Sequence, residues 1–380
     1  MRSYRYLIVG GGMTGDAAVR GIREHDTEGS IGLVGAEPHP PYDRPPLTKA
    51  LWQGKDESSI WRGTEESGAD LILGRRIVSL DLDAHTATDD QGEQYSYEKL
   101  LLATGGKPRR IPGLDDALYY RTVDDYERLR GLVGEGGTFL VVGGGFIGSE
   151  IAAALQSNGV SARMVFPDDG ICARLFPADL SQFVTDYYRE KGVDVHTGQA
   201  VAADDPRLGD VTAVIAGLGI EPNTDLAEQA GLPVDNGIVV DDHGRVGERD
   251  DVFAAGDVAQ FPVPALGTTM RVEHEDHAKT HGKAVGANMA GADTPYDHLP
   301  FFYSDLFDLG YEAVGEVDSR HETVEHWKEP GREGVVAYVD GDGKPRGFLL
   351  WNVWGKVDDA RELIRGGRAV DDATVEELAG

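Results

Sequence analysis

The sequence predicts an α/β protein, and three observations carry that reading. A strand, a glycine cluster and a helix follow one another twice, about 130 residues apart, over residues 4–25 and 138–157. After each helix a second strand ends at an acid, Glu37 in the first unit and Asp168 in the second. From about Pro295 the chain turns aromatic and β-branched, then closes on a helical stretch over 357–365. Two Rossmann-like dinucleotide-binding domains followed by a C-terminal α+β domain satisfy all three.

In chain order, the first unit is a strand over 4–9, the turn Gly10-Gly-Gly-Met-Thr-Gly15, a helix over 16–25 and a strand over 31–34. The second is a strand over 138–142, the turn Gly143-Gly-Gly-Phe-Ile-Gly148, a helix over 149–157 and a strand over 162–166. Each residue of G-x-G-x-x-G has its own task. Gly10 and Gly143 allow the tight turn, Gly12 and Gly145 let backbone touch a pyrophosphate, and Gly15 and Gly148 let helix and strand pack closely. Met13 and Thr14 complete the first loop; Gly144, Phe146 and Ile147 complete the second. One such turn is weak evidence, but two in matching context are specific. A carboxylate at Glu37 or Asp168 accepts hydrogen bonds from an adenosine ribose and repels a 2′-phosphate. Asp169 follows Asp168 with no basic cluster beside it, so NADH is expected over NADPH.

Between the units, residues 71–82 and 87–102 alternate in β fashion through the turn Asp89-Asp-Gln-Gly. Beyond the second unit, residues 251–257 form a strand that delivers Asp257 at its end. No repeat of 20 to 50 residues is present.

Composition narrows the function classes. At 380 residues two or three domains are expected, and no apolar run approaches the roughly 18 to 20 residues that span a bilayer. The single cysteine, Cys172, excludes an intrachain dithiol and a cysteine-rich metal site. A formal charge of -30 repels nucleic acid and anionic lipid surfaces. The first residues run straight into the opening strand without the pattern of a secretory leader, so a cytoplasmic address is expected. With 66 acidic residues and only 10 lysines, the composition also suggests adaptation to high salt, where screening relieves self-repulsion.

Gly10 to Gly15, Ala103-Thr-Gly105, Gly143 to Gly148 and Ala254-Ala-Gly-Asp257 together resemble the two-dinucleotide flavoproteins, the family that includes glutathione reductase and the FAD-dependent ferredoxin reductases. The resemblance implies an FAD domain from residues 1–115 and 245–292, an NADH domain inserted at 116–244, and a C-terminal domain at 293–380. Finer stretches, among them Pro41-Tyr-Asp-Arg-Pro-Pro-Leu-Thr-Lys-Ala-Leu-Trp52 and Arg271-Val-Glu-His-Glu-Asp-His-Ala278, are similar to apoptosis-inducing factor. Leu299-Pro-Phe-Phe-Tyr-Ser304 is also similar to monodehydroascorbate reductase. There are departures. Glutathione reductase places two cysteines beside its flavin, where this chain has Pro45-Pro-Leu-Thr-Lys49. The arginine that monodehydroascorbate reductase uses next to this serine is Asp305 here.

By that resemblance, Lys49 reaches flavin N5 and pairs with Glu150 on the NAD-domain helix, while the Phe146 ring covers the flavin. Arg44 and Arg121 meet FAD phosphate or the flavin edge, the Ile77 backbone meets adenine, and Ala103, Thr104 and Gly105 line the FAD. Asp257 takes the ribityl chain. A helix entered through Glu273, His274 and Glu275 points its positive end at flavin N1 and O2, with Glu273 assigned to NAD. Tyr303 and Phe302 wall the far side, Glu312 holds the nicotinamide carboxamide, and Arg174 and Gly219 belong to the NAD site. His274, His277 and His281 share a helical face and so match a metal pattern as well, but no metal is assigned.

The implied activity is transfer of hydride from NADH to FAD, with electrons passed to a small-molecule or protein acceptor such as a quinone or a ferredoxin. Two alternatives stand beside it: a reductase component for ferredoxin or rubredoxin, and an NADH-sensing flavoprotein whose oligomeric state follows its redox state. The oligomer is left open, a homodimer included.

Overall fold

The computed structural model describes residues 1–380. Its chain divides into two compact units, one formed by residues 1–43, 58–107 and 221–300, the other by 44–57, 108–220 and 301–380. Eight helices occur in chain order: α1 (Met13–His25), α2 (Val123–Glu135), α3 (Phe146–Ser157), α4 (Ala178–Glu190), α5 (Asp225–Gln229), α6 (Glu275–Met289), α7 (Val357–Gly366) and α8 (Asp372–Ala379). None is long and apolar enough to cross a membrane.

The first unit is built on a sheet whose strands are β1 (Arg2–Val9), β2 (Ile31–Gly35), β3 (Asp70–Leu73), β4 (Ile77–Asp81), β5 (Thr86–Asp89) and β6 (Gln94–Leu102). Its order is β3-β2-β1-β6-β5-β4, and the strand Val252–Ala254 also pairs with β6. Around β1 the pairing is parallel, with Ile8 opposite Leu33 on one side and Leu101 on the other. Leu7, Ile8, Leu100, Leu101 and Leu102 have no exposed surface, as expected for central parallel strands covered on both faces. β5 returns antiparallel to β6 through the Asp89 turn, where the Asp89 carboxylate takes backbone N–H bonds from Gln91 and Glu93.

Helices α1 and α6 pack together so closely that their backbones touch. A Cβ on Gly286 of α6 would lie 2.2 Å from the Ala18 carbonyl oxygen of α1. Val19 and Ile22 of α1 then join Val285 and Met289 of α6 in one core with Tyr6, Ile8, Leu33, Leu101 and Phe253.

The second unit holds a parallel sheet in the order Asp194–His196, Ser161–Val165, Thr138–Val142, Ala213–Ala216, Leu118–Tyr119. It also holds an antiparallel sheet in the order Phe301–Leu306, Leu309–Gly315, Pro345–Trp351, Glu333–Val339, Glu322–Glu329. Helix α7 packs on the Leu309–Gly315 and Pro345–Trp351 strands, and α8 on the Glu322–Glu329 and Glu333–Val339 strands. Tyr311 and Trp351 of this sheet stack on each other and Phe176 meets both rings edge-on, each fully buried. This is the α/β architecture with a C-terminal sheet that the pattern predicts.

Two details differ from the pattern. Helices α1 and α3 start three residues earlier than the apolar periodicity indicates, because Gly12 and Gly145 adopt extended backbone and serve as N-caps. Phe146 is therefore the first residue of a helix rather than part of a loop, and Glu150 lies a full turn in. Low helix propensity hides Gly15 and Gly148 from any sequence-based helix boundary.

Because the α1–α6 contact admits no side chain, Gly286→Ala should destabilise the apoprotein by about 1–3 kcal/mol through overpacking. Urea denaturation measures this, and an unchanged midpoint would disprove the backbone contact.

Candidate functional site

The two glycine turns have the same geometry. At Gly10, φ is +131°, and a Cβ would sit 2.0 Å from the Ala103 carbonyl oxygen; at Gly143, φ is +120°, with the Gly217 oxygen 2.2 Å away. A Cβ on Gly15 would strike the Gly10 oxygen at 2.2 Å, and one on Gly148 the Gly143 oxygen at 2.0 Å. Those four positions are closed by the protein itself. Gly12 and Gly145 are the opposite case, since a Cβ there would meet no heavy atom within 4 Å. Neither N-cap offers a side chain to the first N–H groups of its helix. An uncapped helix start behind an open floor fits a phosphate, whose charge the N–H groups and the helix dipole both favour. The residues present therefore fit two dinucleotides.

In the first unit, the packing of α1 against α6 gathers several predicted residues. Thr14 is buried, and its hydroxyl lies 2.2 Å from where a Gly256 Cβ would be. That close approach places Asp257 beside the start of α1. The Asp257 carbonyl accepts from Arg271, which pairs with Glu273 at 2.6 Å. His274 is the N-cap of α6 and Glu275 its first residue, ion-paired with Lys279. Thr104 and Asn223 bond reciprocally through side chain and carbonyl, both at 2.8 Å, and the Gly105 carbonyl accepts from Asn223 N. Glu37, two residues past the end of β2, accepts from the Tyr42 hydroxyl at 2.6 Å. Ile77 opens β4, opposite Asp89.

His277 and His281 do not present a metal-binding face. Their rings are buried in a stack with Phe261 and Tyr296, and His281 Nδ1 accepts from Gly256 N at 3.3 Å. Burial pushes the His281 imidazole down to about 3, so it stays neutral.

In the second unit, the Glu150 carboxylate is a hub. It accepts from Lys49 Nζ, from Thr48 Oγ1 at 2.5 Å and from Ser304 Oγ at 2.5 Å. The Lys49 ammonium also lies 5.2 Å from the centre of the Tyr303 ring. Tyr303 is opposite Glu312 across the two strands, and Glu312 Oε2 is buried without a hydrogen-bond partner. Burial raises the proton affinity of Glu312. An orphaned oxygen of this kind fits an incoming amide donor. The Phe146 ring meets Phe302 edge-on at 5.3 Å. Arg44 donates to the Arg121 carbonyl at 2.9 Å, which brings these two predicted residues together. Asp168 is joined by Arg174 at 3.4 Å. Gly219, with φ +77°, accepts from Arg109 N through its carbonyl. Cys172 is buried and its thiol is pushed up to about 12, so it stays protonated.

Thus Lys49, Arg44, Arg121 and Tyr303, assigned to FAD, belong to the second unit, and Glu273, assigned to NAD, belongs to the first. Three residues in these clusters escape sequence reasoning. Thr48 and Ser304 touch Glu150, and Asp16, fully buried just past Gly15, binds Arg20, Arg62 and Thr64. Only their adjacency to Lys49, Tyr303 and Gly15 marks them in the chain.

Residues 4–282 match the family described as pyridine nucleotide-disulphide oxidoreductase, and residues 285–333 match the C-terminal domain of apoptosis-inducing factor. The chain belongs to the pyridine nucleotide-disulphide oxidoreductase family, whose members of this type use FAD and NAD(H). Within it, the chain is 33% identical to mitochondrial apoptosis-inducing factor 1 of Dictyostelium discoideum, over 98% of this chain and 80% of that protein. It is 32% identical to the ferredoxin–NAD(+) reductase component of the anthranilate 1,2-dioxygenase system of Burkholderia cepacia, over 96% and 95%. Its structure resembles that of putidaredoxin reductase in a covalent complex with putidaredoxin, with a TM-score of 0.89 at 27% identity and coverage of 100% and 96%. The chain is an NADH-dependent flavoprotein oxidoreductase that passes electrons to an acceptor.

The open floors allow a clean separation of folding from binding. Gly12→Ala should leave the apoprotein's denaturation midpoint unchanged while weakening FAD binding about tenfold or more, a difference of about 1.4 kcal/mol. Gly145→Ala should do the same for NADH with FAD retained, whereas Gly15→Ala should lower the midpoint itself. Fluorescence titration of flavin and of NADH, with denaturation in parallel, reads all three.

Proposed function

We propose that the chain takes two electrons from NADH and delivers them to a small iron–sulfur protein of the ferredoxin type. The paired cradles carry this reading: two uncapped helix starts, each behind an open glycine floor, provide for two dinucleotides in one chain. Bound FAD supplies the chemistry, accepting a hydride and releasing electrons in one- or two-electron steps. The chain's own part is to hold, orient and polarise. Lys49, anchored by Glu150, provides a fixed positive charge for flavin N5, where electron density arrives. Glu312 provides a buried acceptor for the nicotinamide amide, and Asp168 provides the acceptor for the adenosine ribose.

The iron–sulfur acceptor is supported by relatives of matching length. The ferredoxin–NAD(+) reductase component is covered over 95% of its own length, and the structural neighbour is bound to putidaredoxin. A second reading, reduction of a small uncharged acceptor such as a quinone, is favoured by the net charge of -30, which repels an acidic protein partner.

Anaerobic mixing with NADH should bleach the bound flavin, and Lys49→Met should slow that reduction by about tenfold or more. With an acidic [2Fe–2S] ferredoxin, kcat/KM should rise with KCl as the like-charge repulsion is screened. Turnover with quinone alone, at every salt concentration, would favour the second reading. Coenzyme choice gives a further check. Asp168→Asn removes the carboxylate that repels a 2′-phosphate and releases Arg174 to meet one, so the NADH-to-NADPH ratio of kcat/KM should fall about tenfold or more.

A further inference from the structure

The turn that delivers Asp257 is held at one point by a side chain instead of by the sheet. At the end of the strand Val252–Ala254 the backbone N–H groups find carbonyls, Ala254 N at Gly244 and Ala255 N, one residue past the strand, at Leu102. At Gly256 the chain leaves the sheet with φ +73°, and the residue is buried. Its N–H meets Nδ1 of His281, on α6, at 3.3 Å. A buried N–H without an acceptor costs stability, so this nitrogen completes the turn.

The imidazole is fixed in place. Its centre lies 4.6 Å from that of the Tyr296 ring, 4.7 Å from His277 and 5.1 Å from Phe261. Tyr296 is itself tied down, its hydroxyl meeting Thr280 Oγ1 at 2.8 Å and His277 Nδ1 at 3.2 Å. The backbone beside the ring is equally constrained, since a Cβ on Gly282 would lie 2.5 Å from the Thr14 carbonyl oxygen. Thr14 is also the residue whose hydroxyl crowds Gly256, so α1, α6 and the turn all meet there. Burial keeps the His281 ring neutral. A neutral imidazole has one acceptor nitrogen, and with Nδ1 receiving the Gly256 N–H its own proton sits on Nε2.

We propose that His281 is a positioning residue for FAD: its Nδ1 anchors Gly256, and through that peptide sets Asp257 where the ribityl chain binds. The inference rests on the reading of Asp257 as an FAD contact. The ring is 1% exposed and stacked in the core, so it acts on the cofactor only through the turn.

Packing and anchoring make opposite demands on substitutions at this position. Phenylalanine keeps a flat ring in the stack and loses the acceptor. Asparagine loses most of the ring, but its Oδ1 falls close to where Nδ1 stood and takes the same N–H. Alanine loses both.

The test measures FAD binding to the apoprotein by flavin fluorescence, and the visible circular dichroism of the bound flavin, in His281→Phe, His281→Asn, His281→Ala and Asp257→Ala. His281→Phe should raise the Kd about tenfold or more and alter the flavin spectrum. His281→Asn should bind within about threefold of the parent and keep the parental spectrum, even where lost ring packing lowers the denaturation midpoint. His281→Ala should bind as weakly as His281→Phe, and it supplies the comparison for His281→Asn even if His281→Phe does not fold. Combining His281→Ala with Asp257→Ala should weaken binding little beyond Asp257→Ala alone, because both changes act on one contact.

The reverse order, with His281→Phe binding as the parent does and His281→Asn as weak as His281→Ala, would overturn the proposal by showing that the ring only packs. Additive losses in the double variant would overturn the route through Asp257. Parental FAD affinity in Asp257→Ala would instead overturn the reading of Asp257 on which the proposal stands.

Discussion

A pyrophosphate is gripped by backbone N–H groups only where the helix start comes within hydrogen-bond reach and nothing covers it. That requirement organises both halves of this protein. It calls for a turn at Gly10 or Gly143 that only glycine adopts, a strand and helix in backbone contact at Gly15 or Gly148, and an empty floor at Gly12 or Gly145. The rest of each site is arranged around that point. In the first unit, α6, with His274 at its N-cap, presses its own backbone against α1, while the approach of Gly256 to Thr14 sets Asp257 beside the start of α1. In the second, α3 starts at the floor and delivers Glu150 one turn later.

The electrostatics follow a similar economy. The surface is strongly acidic, but the buried charges are few and each is answered by several donors. Asp16 is held by two arginines and a threonine, and Glu150 by a lysine and two hydroxyls. Desolvation opposes ionisation of Asp16, yet the bonds from Arg20, Thr64 and Arg62 hold its carboxyl below the usual range. Each hub ties together stretches distant in sequence, residues 16, 62 and 64 in one and 48, 150 and 304 in the other. A charge answered this way fixes geometry and potential at once, a property useful beside a redox centre.

Much of the site was legible in the chain because its signals are local. The glycine spacing, the acids after the second strands, and the strand that ends at Asp257 all report short-range backbone constraints. The same is true of the sole cysteine, which rules out dithiol chemistry by count. The pairing of Lys49 with Glu150 was legible only through family resemblance, since nothing in either neighbourhood points to the other. Thr48 and Ser304 were not legible, because a hydroxyl beside a functional residue looks like any other hydroxyl. The helix starts were misplaced by three residues, since glycine depresses helical signal at the very position where the helix must begin.

By itself, then, the sequence determined the two α/β units, the two nucleotide cradles and that no intrachain dithiol can form. Each depends on residues within one turn of one another, whose spacing is a covalent property of the chain. Tertiary structure alone decided that Thr48 and Ser304 also answer Glu150, and that His277 and His281 are core rings rather than ligands. Those outcomes are set by burial and by the meeting of segments more than a hundred residues apart, and no local pattern encodes either.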